Sequence, residues 1–217
     1  MKLANASLAL STATFGLMLG LAQNAQAASY LVPNVNASVS GIGTNSPYNI
    51  VNIVNGQGLP GNTPSLTGNH ASSTNTNSWR SALGFLAAPK PIQITFNFGV
   101  ARNLTGLSFW NATDGSPDNS QLFGVKDVTF QYLSGATWTA LTPLSPWTGA
   151  FTQGLASPQL VDFSQVTTTQ VRFNIASNFG GQRVAINEVQ FKAVPEPSAS
   201  LALLALGLAG VGLRKRA

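Results

Sequence analysis

From residue 92 to 98 the side chains alternate without a break: Ile92, Ile94, Phe96 and Phe98 are separated by Gln93, Thr95 and Asn97. Successive side chains of a strand point to opposite faces, so this pattern buries one face and wets the other. A helix would scatter the four apolar residues around its axis. The same period recurs in Val128, Phe130 and Tyr132, and in Val171, Phe173 and Ile175. Further short runs read as strands at 48–54, 104–111, 137–141 and 184–191. Turn-forming stretches lie between them. Gly58, Pro60, Gly61, Pro64 and Gly68 mark 56–69 as a long loop, 69–81 is polar, 111–121 is a loop by composition, and Gly180-Gly181 turns the chain at 178–182. No helical periodicity stands out after residue 28. The expectation is an all-β chain, a single sandwich of about eight strands connected mostly by turns.

Both ends break this pattern. At the start, Lys2 precedes an apolar stretch at 8–21, and Ala25-Gln26-Ala27 forms a small-x-small site, the order of a secretory signal peptide cut after Ala27. At the other end, Pro195, Glu196 and Pro197 lead into an apolar run at 199–213, closed by Arg214, Lys215 and Arg216. The two prolines bar a regular helix across the triplet. The apolar run is somewhat short for a spanning helix, but its Gly and Ala allow tilt or close packing. Terminal cations hold their end in the cytoplasm, which leaves the preceding chain outside. The chain therefore divides into a signal-peptide helix at 1–27, a β-domain at 28–193 and a C-terminal transmembrane segment at 194–217.

Charge and composition exclude several classes of function. The whole chain carries +5, but between residues 28 and 193 seven cations face five anions with no cluster, so nucleic acid is not an expected partner. Cysteine is absent, which removes disulfides, thiol catalysis and thiolate metal sites. His70 is the only histidine, so no His-metal cluster can form, and no G-x-S-x-G motif surrounds a serine. Asp114 and Asp118 share one loop, a poor basis for the opposed carboxylates of a glycosidase. The domain is read as noncatalytic. Charged residues make up 8% of the chain, which suits an uncharged, hydrogen-bonding extracellular surface.

Two resemblances carry the reading further. The tail VPEPSASLALLALGLAGVGLRKRA, residues 194–217, resembles the PEP-CTERM sorting signal of Gram-negative bacteria. That implies export, transient anchoring in the inner membrane, processing by an exosortase, and release to the cell surface or extracellular matrix. The middle is similar to the discoidin, or coagulation factor 5/8 type C, jelly roll of the galactose-binding-like group. The similarity rests on Trp79-Arg80-Ser81 after a polar loop, ITFNFGVARNLTGLSFWN at 94–111, GVKDVTFQYLSGATW at 124–138, TQVRFNI at 169–175 and AINEVQF at 185–191. It implies a jelly-roll β-sandwich in which Trp79 and Trp138 are structural. The polar loop departs from the family pattern: it has no acidic residue, and Asn77 stands where the family often has Thr.

Two constellations are candidates for chemistry. The resemblance implies one structural Ca²⁺ between the early polar loop and a late glutamate, which here are Asn75, Thr76, Asn77, Ser78 and Glu188. The other reading of Glu188 is an ion pair with Arg183 or exposure at the strand end. A sugar site needs an aromatic face with amide, carboxylate or guanidinium groups beside it. The loops supply Trp110 with Asn111 and Asp114, His70 near Trp79, and Phe179 with Arg183. Leu107 and Phe109 share one face, which puts Trp110 on the other, either as an outward platform or covering the core edge. Trp147, between Pro146 and Thr148, has no assigned role. The leading expectation is noncatalytic binding of extracellular polysaccharide or surface glycan in the envelope or biofilm matrix. The alternative is a structural or adhesive matrix protein acting through protein contacts, with a carbohydrate-active hydrolase a distant third.

Overall fold

The computed structural model describes residues 28–89, 91–113, 120–149 and 154–196. The expected signal-peptide helix with its Ala25 and Ala27 cleavage site, the apolar tail segment, Pro197, the Arg214–Arg216 cluster and Asp114 all lie outside these residues. No helix among the described residues is long and apolar enough to cross a membrane. Residues Ser29–Val194 form one compact unit.

That unit is built from eight strands: β1 (Tyr30–Leu31), β2 (Asn36–Ser40), β3 (Trp79–Arg80), β4 (Ile92–Asn111), β5 (Val125–Ser134), β6 (Thr137–Leu141), β7 (Gln159–Asn178) and β8 (Ala185–Val194). They join in the order β1-β8-β4-β7-β5-β6, with β2 added to β4 and β3 to β8. All these strand pairs are antiparallel. The stretches 92–98 and 104–111, expected as two strands, are one strand of 20 residues. β7 is equally long, and the register between the two slips between Asn97 and Arg102. The break lets both strands serve two layers. Their 92–97 and 170–175 halves pair with each other and with β2 and β5, and the 102–109 half of β4 pairs with 159–168 and with β8.

Between the layers the inward residues meet as an aromatic cluster. Phe96 lies 4.7 Å from Phe173 and 5.1 Å from Phe191, and Phe130 lies 4.8 Å from Phe173, in tilted or edge-on contacts. Full burial of each such ring is worth about 1.5–3 kcal/mol, so this cluster holds the layers together. Trp79 is buried as expected, and its indole donates to Thr44 Oγ1 at 3.1 Å.

Three expectations need correction. Residues 48–54 are not a strand: Ile50–Val54 is a 3-10 turn whose N-cap, Asn49, accepts from Val51 N. Ile50 and Ile53 lie three apart, the period of a 3-10 helix, and they pack inward while Val51 is exposed. Trp138 is not in the core. It pairs with Leu133 on the outward face of β6 and is half-exposed, with the Arg172 guanidinium 4.2 Å above its ring. β1 and β2 are added before the first expected strand, because NASVS is too short and polar for its alternation to stand out.

Candidate functional site

The residues expected to form a sugar platform instead form a buried polar layer. Trp110 and Glu188 are register partners on β4 and β8, and Ser108 and Gln190 are the next pair on the same face. The loop after residue 55 folds over them. Trp110 is 0% exposed, packs with Leu59 and Ala156, and donates its indole N–H to Gly68 O at 2.9 Å. Ser108 Oγ donates to Leu66 O at 2.7 Å. Trp110 is therefore no outward platform, because the loop supplies an apolar lid and a carbonyl acceptor. Asn111 turns inward too: its Oδ1 accepts from Val125 N at 2.8 Å and its Nδ2 donates to Val125 O at 2.9 Å, which pins the start of β5. His70 is buried under the same loop, where its Nδ1 donates to Ala71 O at 2.6 Å. The loop comes this close because of Gly58, at φ +95°, where a Cβ would fall 2.4 Å from His70 Cε1. Burial holds the His70 imidazole below its usual pKa, against the raising pull of the Ala71 and Gln57 carbonyls. Phe179 is half-buried on the 178–184 turn, and Arg183 donates to Ser81 O at 2.8 Å. The structure does not bring Trp110, Asn111, His70, Phe179 and Arg183 to one open site.

The expected calcium set also resolves differently. The amide of the buried Asn52 donates to Asn75 O at 3.1 Å and to Ser78 O at 3.0 Å. Asn77 Oδ1 accepts from Thr74 N, and Ser78 Oγ donates to Thr74 O. Thr76 Oγ1 is hydrogen-bonded to Thr74 Oγ1 at 3.1 Å. Glu188, 0% exposed, accepts from Gly56 N at 3.1 Å and from Gln190 Nε2 at 2.6 Å. Burial pushes its carboxyl up to about 8, while the bonds from Gln190 and Gly56 pull the other way. The Asn52 amide thus takes up two of the loop carbonyls, and the Glu188 carboxyl is held by Gly56 N and Gln190 Nε2, whereas a bound Ca²⁺ would need six to eight oxygens. No group of three or more His, Asp or Glu that could hold a metal gathers among the described residues. Nor does Glu188 pair with Arg183, whose donation goes to Ser81.

An open recess of about 570 Å³ lies instead at one end of the β4–β7–β5 face, lined by Pro91, Asp127, Val128, Thr129, Trp147, Asn174 and Ala176. Trp147 is its wall. The indole stands edge-on to Phe109 at 4.9 Å and to Phe130 at 5.7 Å, and its N–H donates to Lys126 O at 2.8 Å. Gly149, at φ +53°, lets this loop approach β5: a Cβ there would fall 2.4 Å from Lys126 O. The ring is thus fixed by the core yet half-exposed. A second recess, about 500 Å³, opens between Val128–Phe130 and the 140–147 segment, so Trp147 borders both. Asp127, whose carboxylate is bonded by Ser177 Oγ, Thr129 and Asn174 line the same recess. An aromatic ring, a carboxylate, an amide and a hydroxyl on rigid strands can meet both the apolar face and the hydroxyls of a sugar. Among the described residues that line the recess Asp127 carries the one carboxylate, and Asp162 is engaged by Lys192. The sequence reading missed Asp127, Thr129 and Asn174 as site residues. Their outward alternation on β5 and β7 was visible, but nothing in it marked the recess that they line with Trp147.

Residues 193–216 match the PEP-CTERM protein-sorting motif. No curated protein matches the chain in sequence. Solved structures similar to it in fold include the module CpGH89CBM32-5 from Clostridium perfringens, in complex with GalNAc-β-1,3-galactose: TM-score 0.52, 11% identity, 75% of this chain and 99% of that one. A second is the GH31 module CBM32-2 bound to GalNAc: TM-score 0.51, 12% identity, 75% of this chain and 97% of that one. A third is CBM32-3 from a family 31 glycoside hydrolase of Clostridium perfringens: TM-score 0.50, 18% identity, 76% and 94%. The chain thus carries a PEP-CTERM sorting motif on a β-sandwich similar in fold to family 32 carbohydrate-binding modules.

Proposed function

We propose that this is an exported, noncatalytic glycan-binding protein of a Gram-negative envelope or biofilm matrix. The tail would route it through the inner membrane to an exosortase, with Pro195, Glu196 and Pro197 as the recognised triplet and Arg214, Lys215 and Arg216 as the membrane stop. The observation that carries the binding reading is the recess at Trp147. An aromatic wall locked to the core by two edge contacts and one hydrogen bond stands beside Asp127, Thr129 and Asn174. Such a site needs little ordering when a sugar arrives, so more of the contact energy appears as affinity. The fold likeness to sugar-bound modules supports the class of ligand and assigns no particular sugar. We also infer that the polar loop is closed by Asn52 and needs no calcium.

A glycan array with the protein, its Asp127→Ala variant and its Asn174→Ala variant tests this. The expected result is saturable binding to one class of sugar, weakened at least tenfold by either substitution. Silence from folded wild-type protein would favour a matrix protein that acts through protein contacts. Turnover of a glycan would overturn the noncatalytic reading in favour of a hydrolase.

A further inference from the structure

The recess opens onto a sheet face that continues well beyond it. Thr129, Gln131 and Leu133 of β5 stand on the outward side, in register with Asn174 and Arg172 of β7 and with Trp138 and Ala140 of β6. On β4, Gln93 and Thr95 face the same Asn174 and Arg172. The side chains are tied to one another. Gln93 Nε2 donates to Asn174 Oδ1 at 3.1 Å, and Asn174 Nδ2 donates to Gln131 Oε1 at 3.0 Å. Arg172 donates to the same Oε1 through Nε at 3.1 Å and Nη2 at 2.6 Å, with its guanidinium 4.2 Å from the centre of the Trp138 ring. Three donors on one oxygen fix the Gln131 amide, so its Nε2 hydrogens are presented in one orientation. The indole on edge strand β6 is held in place by a stacked cation.

We propose that this face is a track for the interior of a neutral, linear polysaccharide chain, with the Trp147 recess at one end and the Trp138–Arg172 stack at the other. The proposal rests on the glycan-binding reading and names the ligand class for that site. From Asp127 to Leu133, β5 runs six residues, about 20 Å at ~3.3 Å per residue, or roughly four linked pyranose rings. Amides and hydroxyls along it match uncharged ring hydroxyls. The one cation of the stack is already committed to Gln131 and Trp138, and Asp127 at the recess repels an acidic chain. Because the side chains are bonded to each other before any ligand arrives, a chain binds without ordering them.

Affinity gel electrophoresis against linear β-1,4-galactan, β-1,3-glucan and β-1,4-mannan, with alginate as the acidic comparison, identifies the polymer. Calorimetry with its di- to hexasaccharides then measures the track. Affinity is expected to rise at least tenfold from the disaccharide to the tetrasaccharide and then level off. Trp138→Ala should lower tetrasaccharide affinity at least tenfold and leave disaccharide affinity within twofold. Arg172→Lys, which keeps the charge and loses the planar stack, should lower tetrasaccharide affinity severalfold, and it carries the test if Trp138→Ala does not fold. Affinity independent of length, or insensitive to both substitutions while Asp127→Ala abolishes binding, would overturn the track and keep the recess. Preference for alginate would overturn the neutral class. Absence of binding to every polymer by folded wild-type protein would overturn the glycan reading itself.

Discussion

Glu188 shows how one side chain's surroundings reverse its ordinary behaviour. It is fully buried beside Trp110, held by Gly56 N and Gln190 Nε2, and its carboxyl is pushed up to about 8 from 4.5. Between these values the unfolded chain has lost the proton and the folded chain keeps it. Stability attached to Glu188 is therefore fully present below pH 4.5 and is lost as pH rises through about 8. His70 works in the opposite sense, since its lowered pKa penalises acid, but that effect fades as pH rises above 6.5 and the unfolded imidazole also loses its proton. Unfolding free energies from urea titrations between pH 7 and 8 should thus fall with rising pH, by at most about 1.4 kcal/mol per unit. In Glu188→Gln that slope should disappear. A wild-type stability that is flat or rising across the window would show that the carboxyl is already ionised in the fold.

At the scale of elements, the segments that cover the sheet are joined by side-chain amides where a metal was expected. Asn52, on the 3-10 turn Ile50–Val54, bridges two carbonyls of the 75–78 loop, and Asn187 on β8 accepts from Ser73 Oγ at 2.6 Å. Asn52→Ala leaves two carbonyls without their donor. At about 1–3 kcal/mol for an unsatisfied buried group, the loss of stability should reach a few kcal/mol in urea unfolding. A chelator should leave the wild-type melting temperature unchanged. A drop of several degrees on chelation, restored by calcium, would reinstate the cation and displace the Asn52 clamp. Much of this level was legible in sequence. The alternation of Ile92 to Phe98, the Gly180-Gly181 turn and the loop at 56–69 follow from local stereochemistry. The 3-10 turn was not legible as such, because Ile50, Val51, Ile53 and Val54 fit a short strand as well as a turn until their contacts select the buried pair.

On the scale of the whole molecule, a β-sandwich is followed by a sorting motif. Ser29–Val194 folds as one unit whose core is supplied by its own strands, and the sorting motif occupies residues 193–216. Its charge is spread thinly, with seven cations against five anions between residues 28 and 193. If the tail acts as proposed, replacing Pro195, Glu196 and Pro197 with alanine should hold most of the protein in the inner-membrane fraction of its host. Wild-type protein should appear at the surface or in the medium. Equal release of both, followed by fractionation and blotting, would remove the triplet from the recognition step.

The sequence by itself determined the strand period, the turns, the absence of thiol and His-cluster chemistry, and the sorting tail. Each of these is a property of residue order or composition over short range. Tertiary structure alone decided which tryptophan is buried and which lines a recess. Trp110 ends a strand at a loop and looked outward, yet Leu59, Gly68 and Ala156, remote in sequence, close over it. Trp138 sat in a family core position and emerged on the outer face beside Arg172. Trp147 had no assigned role and became the wall of the recess because Phe109, Phe130 and the Lys126 carbonyl meet it there. Strand alternation assigns a side chain to a face, but whether that face meets water depends on which distant segment packs across it. That choice is made by long-range contacts among residues that carry no local mark of their partners.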